Sequence, residues 1–111
     1  MTSPQQRAPS TWEQRAYEHL YSLAQALNRY DEISADLRDD TLYVVYADGT
    51  PEGERRERVT CRPRPSDGDR LWMWDSEHGP LAEADDTVAA TLAVVSKLRR
   101  GLTSPWKRQD A

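Results

Sequence analysis

The stretch that decides the fold is residues 41–75, TLYVVYADGTPEGERRERVTCRPRPSDGDRLWMWD. Residues 41–47 and 70–75 are rich in β-branched, aromatic and aliphatic side chains, a composition typical of strands. Residues 56–62 alternate with a period of two, which is the pattern of a half-buried strand. In this middle strand, Val59 and Cys61 are predicted to point inward, and Arg58, Thr60 and Arg62 outward. The sequence therefore predicts three consecutive strands.

Turn residues separate these strands. Asp48-Gly49 begins the first turn, which a following proline and glycine lengthen beyond a two-residue hairpin. Pro63 and Pro65 are expected to end the middle strand, and residues 66–69, Ser-Asp-Gly-Asp, make the second turn. Three strands joined in this way form an antiparallel meander.

An amphipathic helix is predicted on each side of the meander. Before it, apolar residues recur at steps of three and four over about residues 11–30, and Ser10 with Glu13 forms a capping box. After it, Asp85 or Asp86 caps a second helix, which Gly101 is expected to end. The apolar stripes are Trp12, Ala16, Leu20, Leu23, Leu27 and Tyr30 in the first helix, and Val88, Leu92, Val95 and Leu98 in the second.

These elements predict a two-layer α+β fold in the order α-β-β-β-α, with both helices on one face of the sheet. Residues 31–40 are acidic and partly alternating, and they form either a fourth strand or an extended linker. Residues 76–86 are expected to be a loop. The single domain spans residues 10–102, between a disordered lead-in at 1–9 and a C-terminal tail at 103–111.

Composition argues against several classes of protein. The 111 residues carry a net charge of -4, which disfavours a general binder of nucleic acid or of anionic membranes. The longest apolar runs are far shorter than the about 20 residues of a membrane span, and no secretion signal is visible. One cysteine allows neither an intrachain disulfide nor a cysteine-based zinc cluster, so we expect a cytoplasmic protein.

The charge is spread unevenly along the chain. Residues 31–54 hold eight acidic residues against Arg38 alone, a net -7. Residues 55–70 hold six arginines against three acidic residues, a net +3. The acidic block is therefore one candidate partner of the basic strip, within the chain or across a dimer.

The face of the sheet without helices cannot be wholly polar. In the first and third predicted strands, both alternating sets of side chains are apolar. Whichever register holds, this face should expose aromatic and aliphatic side chains beside arginines, and such a patch marks a contact surface. The residues expected to carry the contact are Tyr43, Val45, Arg58, Arg62, Trp72 and Trp74.

Three kinds of occupant remain open for this face. The first is a second copy of the chain. The second is the chain itself, through residues 31–40, the 50–55 loop or the tail that carries Trp106. The third is a ligand or another protein.

No catalytic or metal-binding pattern stands out. The sequence has no phosphate-binding glycine loop, nucleophile elbow or metalloprotease motif. His19 and His78 are isolated, whereas a metal site needs three or four converging ligands. Asp75 with His78 forms either a turn stabilised by the aspartate or an acid–base pair. Cys61, inward and without a histidine near it in sequence, is typical of a small buried residue. We expect neither an enzyme nor a cofactor or metal.

The last third of the sequence carries a resemblance to known proteins. The run Leu71-Trp72-Met73-Trp74-Asp75, then Gly79-Pro80-Leu81, then Asp85-Asp86 and Val88-Ala89-Ala90 resembles small uncharacterised actinobacterial proteins. The predicted order of helices and strands is similar in topology to that of secretion-chaperone-like domains, which are acidic, dimeric and non-enzymatic. Neither resemblance implies a catalytic residue.

The expected function is association. We predict a homodimer, or an adaptor or chaperone-like binder of another protein, that uses the aromatic and arginine face. The alternative is a module that binds a small molecule or single-stranded nucleic acid on the same face. Proteins that bind single strands stack the bases on aromatic side chains. The negative net charge of the chain and the order of its helices and strands argue against binding of nucleic acid.

Overall fold

The computed structural model describes residues 11–47, 49 and 53–103. The elements are α1 (Thr11–Leu27), β1 (Ile33–Arg38), β2 (Thr41–Tyr46), β3 (Arg55–Arg64), β4 (Arg70–Trp74), β5 (Pro80–Glu83) and α2 (Thr87–Thr103). The five strands form one antiparallel sheet in the order of the sequence. The predicted α+β class and the antiparallel meander between two helices are confirmed.

The predicted number of strands is wrong, because the sheet has five strands and not three or four. Residues 31–40 do contain the additional strand, β1, which pairs with β2 along its whole length. β5 lies within residues 76–86, where the sequence predicts a loop. Its residues, Pro-Leu-Ala-Glu, include three types that are depleted in strands. β5 is therefore a strand because β4 offers it an edge, with Met73 opposite Ala82.

β3 is longer than expected and passes through Pro63, which the sequence predicts to end it. Pro63 lies opposite Leu71 of β4. The pairing of β3 with β2 stops at Thr60, so beyond that residue β3 has a neighbouring strand on one side only. Proline is tolerated in such edge segments, where one of the two backbone ladders is absent.

α1 ends three residues earlier than predicted. The N–H of Tyr30 donates to the carbonyl of Leu27 at 3.0 Å, which closes a tight turn after the helix. The side-chain amide of Asn28 then bonds both backbone groups of Ala35 in β1, at 2.8 and 2.9 Å. Asn28 thus satisfies part of the outer edge of the sheet. Ser10, the first residue of the predicted capping box, lies outside the described residues.

α2 begins as predicted and ends later. Asp86 Oδ1 accepts the N–H of Ala89 at 3.0 Å, which confirms this aspartate as the N-cap. The helix continues through Gly101 to Thr103, so the predicted stop at Gly101 is wrong. Glycine disfavours a helix interior by only about 1 kcal/mol, which neighbouring residues can offset.

Both helices pack on one face of the sheet and share a single core. The described stripe of α1 lies as predicted, from Ala16 to Leu27, with Trp12 and Tyr30 partly buried beside it. The stripe predicted for α2 is wrong in its first half, since Val88 is 70% exposed and Leu92 is 54% exposed. Small Ala90 turns inward instead and lets the helix approach the sheet. The largest fully buried side chains are Leu20, Leu23, Leu27, Leu42, Met73, Val44, Val59 and Val94.

Candidate functional site

The sheet face turned away from the helices, which we call the open face, is built by alternate residues of the strands. Successive side chains of a strand point to opposite faces. The residues between the core positions therefore share the open face. They are Ser34, Asp36, Arg38, Thr41, Tyr43, Val45, Arg56, Arg58, Thr60, Arg62, Arg64, Arg70, Trp72, Trp74 and Glu83.

All six residues that the sequence singles out lie on the open face. Tyr43 of β2 is directly opposite Arg58 of β3, and Trp72 of β4 is directly opposite Arg62 of β3. Val45 follows Tyr43 on the same face of β2. Trp74 lies opposite the β3 residue midway between the two arginines. Their common location is confirmed, and their role in binding stays a prediction.

An arginine that the sequence analysis did not single out covers the two tryptophans. The guanidinium of Arg64 lies 4.3 Å from the ring centroid of Trp72 and 6.0 Å from that of Trp74. A planar guanidinium stacks favourably on an aromatic face. The indole N–H of Trp72 donates to Asp67 at 2.9 Å, and that of Trp74 donates to the carbonyl of Arg62 at 3.2 Å. Both indoles are therefore half-buried and fixed in position.

Tyr43 is the most exposed large apolar side chain described on the open face, with 38% of its surface accessible. The guanidinium of Arg38 lies 5.2 Å from its ring centroid, and Asp36 holds that guanidinium at 2.8 Å. The hydrogen bond and charge of Asp36 raise the pKa of Arg38 above its ordinary value. The open face is therefore less apolar than the sequence suggests, because arginines lie over its aromatic rings.

The open face has an excess of positive charge. Six of the residues that form it are arginines, and two are carboxylates. Asp36 pairs with Arg38, and Glu83 lies 3.7 Å from Arg70. Arg58 and Arg62 are exposed and form no ion pair with any residue in the described part of the chain. Their charges are thus available to a partner.

A shallow depression of about 310 Å³ lies on the open face between β2 and β3. Tyr43 and Val45 give it apolar walls, while Arg56 and Arg58 supply positive charge and Ser76 closes one end. Its volume is at the lower limit of ligand sites. The depression therefore suits one side chain of a partner.

Residues 31–40 do not cover the open face, since they form β1 at the edge of the same sheet. The other two predicted covers are the 50–55 loop and the tail with Trp106. Residues 50–52 and the whole tail beyond Thr103 lie outside the described residues.

A buried ion pair holds the strand beneath the depression. Glu57, only 5% exposed, points to the helix side of β3, in the same alternating set as Val59 and Cys61. Its Oε1 accepts the N–H groups of Arg58 and Ser76 at 3.0 and 3.3 Å, and its Oε2 lies 3.5 Å from Lys97 Nζ of α2. Glu57 therefore fixes the backbone of two residues that line the depression. Sequence reasoning missed Lys97 as its partner, because the two are distant in the chain.

Asp75 stabilises a turn. Its Oδ1 accepts the N–H groups of Glu77 and Gly79 at 2.9 and 2.8 Å. His78 is exposed and adopts a left-handed backbone conformation, with φ 65°. Of the two predicted alternatives, the structure supports the turn. Among the described residues, no group of three or more His, Cys, Asp or Glu side chains is placed to hold a metal ion.

Burial determines the reactivity of the single cysteine. Cys61 lies on the helix side of β3 and is 4% exposed, which confirms its predicted inward position. Removal from water penalises the charged thiolate and raises the pKa of this thiol to about 12. Because the thiolate is the reactive form, Cys61 offers no nucleophile at neutral pH.

We expect Cys61 in the folded protein to react with iodoacetamide at about pH 8 at least about a hundredfold more slowly than free cysteine. Both the raised pKa and the low exposure of the sulfur slow the reaction. Mass spectrometry of timed samples measures the rate, with the denatured protein as a control that should react rapidly. Rapid labelling of the folded protein would contradict the buried position.

No helix in the described ranges is long and apolar enough to cross a membrane. Neither a family model, nor a curated protein, nor a solved structure matches the chain.

Proposed function

We propose that the protein is a non-enzymatic interaction protein of the adaptor or chaperone-like kind, whose open face binds an acidic segment of another protein. One observation carries the proposal: Arg58 and Arg62 are exposed beside half-buried aromatic side chains, with no carboxylate partner in the described part of the chain. Arginine, tryptophan and tyrosine are the residues that contribute most at protein interfaces.

The spacing of the two arginines defines the segment that fits. Arg58 and Arg62 lie four residues apart on one strand, a separation of about 13 Å at the rise of a strand. An extended chain with two carboxylates at the same spacing can pair with both. An apolar side chain between those carboxylates would reach Tyr43 and the depression beside it.

Charge argues for a heterologous partner over face-to-face association of two copies. Two open faces in contact would bring two sets of arginines together, and like charges at an interface cost free energy. An acidic segment has the opposite charge and avoids this cost. The predicted homodimer is therefore less well supported on this face than an adaptor role.

Single-stranded nucleic acid is the second candidate, since the arginines would attract phosphates. Binding of this kind also uses aromatic rings on which bases stack. On the open face, Arg64 lies over Trp72, so this ring is already covered, and Tyr43 is the one exposed aromatic ring among the described residues of this face. This arrangement favours the protein partner.

The test is a comparison of three labelled probes by fluorescence anisotropy. They are a peptide in which glutamate recurs at every fourth residue, with leucine midway between successive glutamates and serine at the remaining positions, the same peptide with lysine for glutamate, and a single-stranded oligonucleotide. We expect the acidic peptide to bind, with an affinity that falls as salt screens the charges. Binding of the oligonucleotide alone would favour the second candidate, and binding of the lysine peptide alone would contradict both.

A further inference from the structure

A second surface with the properties of a binding site lies on the other side of the sheet. It is a groove of about 1090 Å³ along the first half of α1, at the end of the sheet where β1 turns into β2. The groove exists because the pairing of β2 with β3 stops at Thr60. Beyond Thr60, β3 is not covered by β2, and α1 passes over the gap. The volume is at the upper end of the range for ligand sites.

The groove combines an apolar floor with an acidic rim. Trp12, Ala16 and Leu20 of α1 line the floor. Carboxylates of α1 and of the β1–β2 turn form the rim, and the basic residue of the lining is Arg62. The rim carboxylates are Glu13, Glu18, Asp39 and Asp40. A complementary ligand therefore presents a large apolar group next to positive charge.

The chain itself contains such a ligand. Residues 105–108 read Pro-Trp-Lys-Arg and follow shortly after α2. We propose that the groove binds this segment of a second copy, with Trp106 on the apolar floor and Lys107 and Arg108 against the acidic rim. Two copies that exchange these segments form a dimer that leaves Tyr43, Val45 and Arg58 of each open face free, while Arg62 borders both surfaces.

The direction of the helices prevents residues 105–108 from reaching the groove of their own copy. Near the end of α2, Arg99 pairs at 3.0 Å with Glu32, which follows the end of α1, so the two helices run in the same direction. Ala16 lies about 16 Å before the end of α1, and Thr103 lies about 6 Å beyond Arg99. Trp106 follows Thr103 by three residues, which span at most about 11 Å. Its own groove is therefore out of reach.

The segment before α1 fits the groove less well. Residues 1–10 are close to the groove in sequence but contain no aromatic side chain, and Arg7 is their one basic side chain. Their one large apolar side chain, Met1, is six residues from Arg7, so they do not present an aromatic side chain next to a pair of basic residues. The second copy's residues 105–108 match both the floor and the rim.

The first test measures the mass of the full chain by light scattering over a wide range of concentration. We expect a reversible dimer, and Trp106→Ala should raise its dissociation constant at least about tenfold, because a buried tryptophan contributes strongly at interfaces. A monomer at all concentrations, or a dimer that Trp106→Ala leaves unchanged, would overturn the proposal. Circular dichroism checks that each variant is folded.

The second test reverses the charge of the groove in one variant and the charge of the tail in another. One variant carries Glu18→Lys and Asp40→Lys in the groove, and the other carries Lys107→Glu and Arg108→Glu in the tail. Each should be monomeric alone, because its groove and tail then have the same sign of charge. An equal mixture should form a heterodimer in which both contacts are again complementary. Failure of the mixture to associate, with both variants folded, would refute the tail exchange.

This inference goes beyond the proposed function, and the two can fail separately. The variant Arg58→Glu should weaken binding of the acidic peptide and form the dimer as readily as the wild type, since Arg58 lies on the open face and does not line the groove. Trp106→Ala should bind the acidic peptide as the wild type does. Loss of dimerisation in the first variant, or of peptide binding in the second, would contradict the assignment of two independent surfaces.

Discussion

Reversing the charges of Arg58 and Arg62 together should weaken binding of the acidic peptide about 30-fold and leave the fold intact. Both side chains are exposed, and neither pairs with a described carboxylate, so their replacement removes no ion pair described within the protein. Each reversal removes an attraction and adds a repulsion. For two exposed positions the sum is about 2 kcal/mol. Titration by fluorescence anisotropy measures the change.

The matched control reverses two arginines outside the open face. Arg15 on α1 and Arg29 after it are exposed, and Arg15→Glu with Arg29→Glu gives the same net charge. This control should retain the wild-type affinity within about twofold, because the changed charges lie on the helix side of the sheet. Equal weakening by both double variants would mean that net charge, and not the open face, attracts the peptide.

Lys97→Met should lower the free energy of unfolding by about 3 kcal/mol. The ammonium of Lys97 lies 3.5 Å from Glu57 and 3.7 Å from Asp75, and the side chains of these two carboxylates are 3% and 12% exposed. Without Lys97, both remain largely out of water, and no other cation in the described part of the chain forms an ion pair with them. The effect lies at the lower end of the range for buried ion pairs, because Lys97 is itself 30% exposed. Urea denaturation measures the change.

A double-mutant cycle identifies the cause of this loss. Glu57→Gln keeps the shape of the side chain and removes its charge, so Lys97→Met should cost less in that background than in the wild type. The difference is the coupling free energy between the two residues. An equal cost in both backgrounds would show that Lys97 contributes through Asp75 or through packing of its aliphatic chain, and not through Glu57.

The strands of the meander could be predicted from sequence where composition and alternation agree. β2 and β4 are β-branched or aromatic, and β3 alternates around Val59 and Cys61, so the existence of these strands follows from local patterns. The inward residues follow only for β3, because both alternating sets of β2 and β4 are apolar. β5 could not be predicted, because its residues have little preference for a strand and it forms by pairing with β4. The reach of β3 beyond Pro63 likewise depends on where its neighbour β2 ends.

The location of the candidate site could also be predicted, but its surface chemistry could not. Two strands with apolar residues on both sides require an apolar component on the open face. The pattern alone does not decide which set lies there, and the structure places Tyr43, Trp72 and Trp74 on this face. The stacking of Arg64 and Arg38 over these rings depends on cross-strand register and side-chain conformation, which sequence alone does not give. The partnership of Glu57 with Lys97 joins a strand to a distant helix and has no local pattern.

The most direct test of the open face is a map of backbone amide chemical shifts in labelled protein during titration with the acidic peptide. We predict the largest changes in β2, β3 and β4, centred on Tyr43, Arg58 and Arg62, because these residues face the peptide in the proposed complex. The outer surface of α2, with Val88 and Leu92, should remain unchanged. Changes concentrated on the helices, with the three strands unaffected, would contradict the account.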